Sequence, residues 1–324
     1  MILVTNNEGT HGVPTTARLL AEGVPALDAI EAGIRLIEDN ETVYTVGRGG
    51  WPNLLGEVEL DASMMDGDTL RTAAIASLKG YLHPFTVARK MMELLPHEIL
   101  VDEGARLFAK EVGAEAGETL LPHAKAAWDN WYAKEVSDED KRNWPNVPLA
   151  PLCRHAIDPE IGKDTTVFLV QDKNGSICVG TSTSGWGWKY PGRLGDCPII
   201  GAGSYADSRY GAAACTGAGE MSIRTGAARS VVLYMKMGMT VEEAVHEAAS
   251  DMEALKGGLI SRITIHAIDT KGNHEVVAVN GIENSYWLWT DSLPEPVVRP
   301  AEIRPLASAA NPRETAAFKF GKQL

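Results

Sequence analysis

The chain has 324 residues, enough for a large buried core in one domain or two. Hydrophobic residues make up 44% and charged residues 23%, as in a water-soluble globular protein. Lys and Arg number 30 against 43 Asp and Glu, a net charge of −13, which argues against a nucleic-acid-binding surface and leaves room for a small anionic ligand held by one Arg.

No apolar run reaches the length that spans a bilayer, so no membrane partner is expected. Met1–Thr5 is short, quickly polar and without a basic leader, unlike a signal peptide. Cys153, Cys178, Cys197 and Cys215 show no CxxC spacing and read as thiols of a reducing compartment, which predicts a cytoplasmic protein.

Ile2–Thr5 reads as a buried strand, followed by helices over Val13–Ala21 and Ala26–Glu38, with Pro25 at the start of the second. Val43–Gly56 is rich in turn signals. Strands are expected over Glu57–Ser63 and Arg71–Ser77, joined by a turn at Asp66-Gly67-Asp68. Helices over Pro84–Leu95 and Asp102–Val112 flank a short strand, Glu98–Val101. From about Gly117 to Lys163 a charged run followed by prolines at 145, 148, 151 and 159 predicts a partly irregular surface connection, pinned in places by Trp128, Trp131 and Trp144.

Beyond it the pattern turns β-rich. Thr165–Gln171 and Ser176–Thr183, around Lys173-Asn174-Gly175, predict a hairpin. Ile199–Gly201 and Tyr210–Thr216 read as strands, and Met221–Met237 as one long helix. Val241–Leu255 places its apolar residues on one face, with Thr240 and Glu243 spaced as a capping box. A second hairpin, Ile263–Ile268 with Glu275–Val279, precedes a strand over Ser285–Thr290. This order lacks regular β-α-β alternation and fits two antiparallel sheets with helices outside.

Several kinds of chemistry lack a signature. There is no GxGxxG after a strand, no GxxxxGK[ST] and no GxSxG elbow. The eight histidines form no HExxH or paired Cys/His, so neither cofactor nor metal is expected. His246 reads as a surface or packing residue.

Four segments combine small residues, hydroxyls and glycines with an embedded Arg and Asp. They are Asp164-Thr165-Thr166, Gly180-Thr181-Ser182-Thr183-Ser184-Gly185, Gly192-Arg193-Leu194-Gly195-Asp196 and Cys215-Thr216-Gly217-Ala218-Gly219-Glu220. Each alone is unremarkable strand or turn chemistry. In this order, with Ala26–Glu31, Gly47-Arg48-Gly49-Gly50, Glu59–Gly67 and the stretch Lys189–Asp207, they resemble the N-terminal-nucleophile asparaginases: glycosylasparaginase and the isoaspartyl peptidase/plant-type asparaginases.

The resemblance implies an α+β fold, a four-layer αββα sandwich. It also implies a single self-cleaving domain: an α chain of residues 1–164, with 117–163 as connection, and a β chain of 165–324 starting at Thr165. A Thr hydroxyl is a weak nucleophile that needs a base. Freed by cleavage after Asp164, the α-amino group of Thr165, with an ordinary pKa of about 7.7–8.0, could take that proton near neutral pH. By resemblance, Thr165 attacks the side-chain amide of an asparagine-type substrate and Thr183 hydrogen-bonds the nucleophile or its amine. Arg193 holds the substrate α-carboxylate and Asp196 its α-ammonium. Thr216 and the Gly217 N–H stabilise the oxyanion, a donor worth ~3–4 kcal/mol of barrier. The resemblance further implies no cofactor and a dimer of αβ units.

The chain departs from the family pattern at Lys163 (usually His), Val167 (usually Gly), Trp51 (usually small) and Asn7 (usually aromatic). Asp164 and the long connection bring it nearer glycosylasparaginase, with N4-(β-N-acetylglucosaminyl)-L-asparagine as expected substrate. L-Asparagine or a β-aspartyl dipeptide, an uncut relative that binds an amino acid through Arg193 and Asp196, and a structural subunit are the other readings open at this point.

Overall fold

The computed structural model describes residues 1–157, 165–281 and 284–306. In chain order the first part supplies β1 (Ile2–Asn6), α1 (Val13–Glu22), α2 (Ala26–Glu38), β2 (Leu60–Asp66), β3 (Thr72–Leu78), α3 (Pro84–Leu94), β4 (Ile99–Val101), α4 (Asp102–Glu111), α5 (Pro122–Glu135) and α6 (Asp138–Asn143). The second supplies β5 (Thr166–Gln171), β6 (Ile177–Thr183), β7 (Ser204–Asp207), β8 (Gly211–Gly217), α7 (Gly219–Thr225), α8 (Ala227–Lys236), α9 (Val241–Glu253), β9 (Ile263–Asp269), β10 (His274–Val279), β11 (Ser285–Thr290), β12 (Val297–Pro300) and β13 (Glu302–Arg304).

Two sheets form, ordered β12-β11-β1-β5-β6-β2-β3-β4 and β13-β10-β9-β8-β7. Pairing is antiparallel except for β3 with β4 and β10 with β13. Because strand side chains alternate in direction, each sheet buries both faces in different cores. Val167 and Leu169 of β5 point between the sheets, with Val4, Val179, Ala212, Ala214 and Val276. Phe168 and Val170 point the other way, into a layer built with Leu20, Ile34, Phe85 and Phe108 of α1–α4. Beyond the second sheet, Val231, Val245 and Met252 of α8 and α9 pack on Cys215, Ile265 and Val277. The result is helix, sheet, sheet, helix: the expected αββα sandwich. Among the described residues no helix is long and apolar enough to cross a membrane.

Local signals explain most elements. The buried positions of α2 include Ala26, Ile30, Gly33, Ile34 and Ile37, one stripe at helical period. At the start of α9, Thr240 Oγ1 accepts the Glu243 N–H at 3.2 Å and the Thr240 N–H reaches Glu243 Oε2 at 2.8 Å, the expected capping box.

Four expectations change. The helix expected over Met221–Met237 is two helices, because Gly226 takes a left-handed φ of 60° between α7 and α8. Ile199–Gly201 is a turn rather than a strand, closed by the Ala202 and Gly203 N–H groups on the Ile199 carbonyl. The strand expected over Glu57–Ser63 starts at Leu60 and runs to Asp66. The connection after Gly117 carries α5 and α6: its charged run begins with Ser137, which caps α6 by accepting the Asp140 N–H at 3.0 Å. Trp128, Trp131 and Trp144 do pin the segment, joining Leu54 and Trp188 in an aromatic cluster, and Trp128 Nε1 donates to the Leu54 carbonyl at 3.1 Å. Lys163 and Asp164 lie outside the described residues.

Candidate active site

Thr165 immediately precedes β5, the strand seated between β1 and β6. Thr166 pairs with Ser182 and Val167 with Thr181, so the register sets Thr165 opposite Thr183, on the face that Val167 turns to the inter-sheet gap. Thr165 is 6% exposed and Thr183 3%. Thr183 Oγ1 accepts the Gly185 N–H at 2.9 Å and lies 3.2 Å from the Thr45 carbonyl, which fastens the end of β6 to the glycine-rich loop.

Arg193 and Asp196 arrive on the irregular loop after β6. That loop is fixed from below. The Trp188 N–H donates to the Pro52 carbonyl at 2.8 Å, and the Gly192 N–H donates to Glu59 Oε1 at 2.9 Å. Lys189, 1% exposed, sits with Nζ 3.6 Å from Glu59 Oε2. A buried ammonium needs such a partner.

Thr216 and Gly217 end β8. Gly217 has a φ of 110°, and a Cβ there would fall 2.6 Å from the Arg262 carbonyl oxygen, so the position requires glycine. Thr165, Thr183, Arg193, Asp196 and Gly217 line one small cavity together with Gly185, Trp186, Gly195 and Cys197. Thr216, 2% exposed, is the strand neighbour of Gly217.

Two site residues carry perturbed environments. Burial pushes the Asp196 carboxyl from its ordinary 3.8 to about 6, against the opposing pull of Ser222, whose Oγ lies 2.6 Å from Asp196 Oδ2. Arg193 stacks over the Trp186 ring at 4.0 Å. Its Nε and Nη2 donate to Glu220 Oε1 at 3.1 and 2.8 Å, and Nη2 also to Oε2 at 3.0 Å. Sequence reasoning gave no role to Glu220, Ser222 or Trp186. Glu220 stands inside a quoted motif, but its tie to Arg193 depends on the loop.

The departures from the family pattern fall as follows. Val167 is fully buried in the inter-sheet core. Trp51 stacks on Trp188 with centroids 5.7 Å apart and does not line the cavity. Asn7 is exposed, its Oδ1 accepting from Ser285 Oγ at 3.1 Å. His246 is partly exposed, 3.5 Å from Glu302. Among the described residues no group of three or more His, Cys, Asp and Glu is arranged to hold a metal ion. Three cysteines are buried and all four are free thiols.

Comparison with known proteins gives relatives that cover most of this chain. An N(4)-(β-N-acetylglucosaminyl)-L-asparaginase of Elizabethkingia miricola is 36% identical over 76% of this chain and 68% of its own. A plant-type L-asparaginase of Thermococcus kodakarensis is 35% identical over 84% and 85%. An isoaspartyl peptidase/L-asparaginase of Danio rerio is 36% identical over 78% of each. Residues 6–287 match the family model described as Asparaginase, and the chain belongs to that family.

Proposed function

We propose that this chain is a precursor that cuts itself between Asp164 and Thr165 and then hydrolyses the side-chain amide of N4-(β-N-acetylglucosaminyl)-L-asparagine. One observation carries the reading: the hydroxyl residue Thr165 converges on a single cavity with a guanidinium, a carboxylate and the Gly217 turn. Those groups match an amino acid's α-carboxylate and α-ammonium and the oxygen of the amide under attack. The first relative above is named for that glycosylated substrate.

In this reading the Thr165 hydroxyl attacks the amide carbon while the free α-amino group of the same residue takes its proton. The oxyanion accepts from the Thr216 hydroxyl and the Gly217 N–H. The proton passes to the departing nitrogen, the C–N bond breaks, and a β-aspartyl ester remains on Thr165. Water opens the ester and releases aspartate. Before cleavage the nitrogen of Thr165 is an amide with no basic lone pair, so the precursor is inactive.

Intact-mass measurement of purified protein, with an aspartate-release assay on glycosylasparagine, L-asparagine and a β-aspartyl dipeptide, tests this. The expected result is two fragments, the second starting at Thr165, and release from glycosylasparagine. T165A stays uncut and inactive, while T165S keeps part of both activities. A wild-type chain that remains whole after long neutral incubation and releases no aspartate removes the proposal; release from L-asparagine alone removes its glycosyl part.

A further inference from the structure

The end of β1 carries a residue that grips the backbone around Thr165. The β1–β5 ladder runs from Ile2 opposite Gln171 to Thr5 opposite Phe168. Asn6 is next, and there the chain turns away into the 3-10 turn Asn7–His11, so the main chain of β1 ends before it can reach Thr165. The side chain of Asn6, 2% exposed, continues the ladder instead. Its Oδ1 accepts the Val167 N–H at 3.1 Å, and its Nδ2 donates to the Thr165 carbonyl at 2.5 Å. The second hydrogen of Nδ2 goes to Glu8 Oε2 at 2.7 Å. A primary amide has the acceptor and donors of one peptide unit, so it can stand in for one. Only one orientation of the amide satisfies all three contacts, and the Glu8 carboxylate locks it.

We propose that Asn6 is a positioning residue for the nucleophile: its amide holds the carbonyl of Thr165 so that the new chain end, once cut, keeps its hydroxyl and amine aimed into the cavity. This rests on Thr165 being the nucleophile. A chain terminus frays unless its backbone groups are tied down, and the first residue of a strand has the fewest ties. Here the tie is made at the residue that must not move, because small misplacement of a reacting group is costly in rate.

The test compares wild type, N6A and N6D, each characterised by intact mass, melting temperature and steady-state kinetics on its cleaved fraction. N6A removes both contacts; kcat is expected to fall about ten- to a hundredfold, the effect of one or two lost hydrogen bonds, with KM within about threefold. N6D keeps the acceptor for the Val167 N–H but puts a second acceptor against the Thr165 carbonyl. Beside Glu8 the introduced carboxyl binds a proton more readily than usual, and once protonated it can donate again. The ratio of N6D to wild-type kcat therefore rises as pH falls from about 8 toward 5, while that of N6A stays flat; taking the ratio cancels the titration of Asp196 and the Thr165 amine. Wild-type kcat in both variants overturns the inference. So does an equal loss in both at every pH that follows their melting temperatures, which would make Asn6 a strand-end support and nothing more. Uncut wild-type protein removes the proposed function and this inference with it, whereas cut and active wild type beside unaffected variants removes the inference alone.

Discussion

Arg193 meets Glu220 through both Nε and Nη2, at 3.1 and 2.8 Å from Oε1, while its guanidinium carbon sits 4.0 Å from the centre of the Trp186 ring. A planar fork tied at Nε and Nη2 and set against a ring has little freedom left, and among the described residues Nη1 donates no hydrogen bond. Glu220 thus orients the cation that, on the proposed function, receives the substrate α-carboxylate. Removing it in E220A should raise KM about tenfold or more with kcat changed less, and E220Q should lie between, since the amide can still accept from Nε. Steady-state kinetics decide: a KM that drops in E220A would mean that Glu220 competes with substrate for Arg193.

The second prediction concerns pH. Buried Asp196 titrates near 6 rather than 3.8. Above that value it is a carboxylate and can balance a substrate ammonium; below it the charge is gone. KM is therefore expected to climb as pH falls through about 6, and to lose that dependence in D196N, where it is high throughout. The same shift bears on stability with the opposite sense. Because the folded state holds this proton more tightly than the unfolded chain, the contribution is present below pH 4 and lost as pH rises through 6. D196N should accordingly melt a few degrees higher than wild type at pH 7, a stability gain at the expense of binding. A D196N protein that binds substrate normally would contradict the first half, and one that melts lower than wild type at pH 7 the second.

Much of this was readable from the chain because the signals are local. The stripe of α2, the Thr240–Glu243 box and the turn between β5 and β6 each lie within a few residues of what they determine. The family resemblance carried by the glycine- and hydroxyl-rich segments singled out Thr165, Thr183, Arg193, Asp196 and Gly217, which line one cavity. What escaped depends on contacts distant in sequence. β1 pairs with β5 although the two are far apart in the chain, and no pattern within Ile2–Asn6 announces that Asn6 will hold Thr165, 159 positions away. The edge strand Val297–Pro300 is missed because proline and exposed side chains hide a strand whose pairing to β11 is made by backbone groups. The helices after Gly117 are missed because charge and prolines read as an irregular connection, whereas the tryptophans expected to pin it supply burial enough to order helices.

That aromatic cluster gives a third prediction. Trp128 stacks on Tyr132 at 5.0 Å and touches Trp131 and Trp144, tying α5 and α6 to Leu54. W128A should cost about 2–4 kcal/mol in the unit it clamps. Limited proteolysis should then cut within residues 117–157 well before the sheets open, while wild type resists in both places. Equal resistance of variant and wild type in this segment would show that α5 is held by something other than its tryptophans.

The fourth prediction turns on how closely α7 approaches the loop that carries Asp196. A Cβ placed at Gly219 would lie 2.6 Å from Asp196 Oδ1 and 2.7 Å from its backbone nitrogen. Neither group can retreat: the other carboxylate oxygen is held by Ser222 at 2.6 Å, and the Asp196 carbonyl accepts the Ile199 N–H at 2.9 Å. G219A must therefore move the carboxylate itself, and the cost falls on recognition as well as folding, about 1–3 kcal/mol for overpacking of this kind. The matched control is G104A in α4, where a Cβ meets nothing within 4 Å and the helix gains from a better former. KM for the amino-acid substrate should rise in G219A, and the acid-side climb of KM near pH 6 should shift because Asp196 has changed surroundings, with G104A matching wild type in both. If G219A loses stability yet keeps the wild-type KM and its pH profile, the close packing of α7 on Asp196 serves the fold alone.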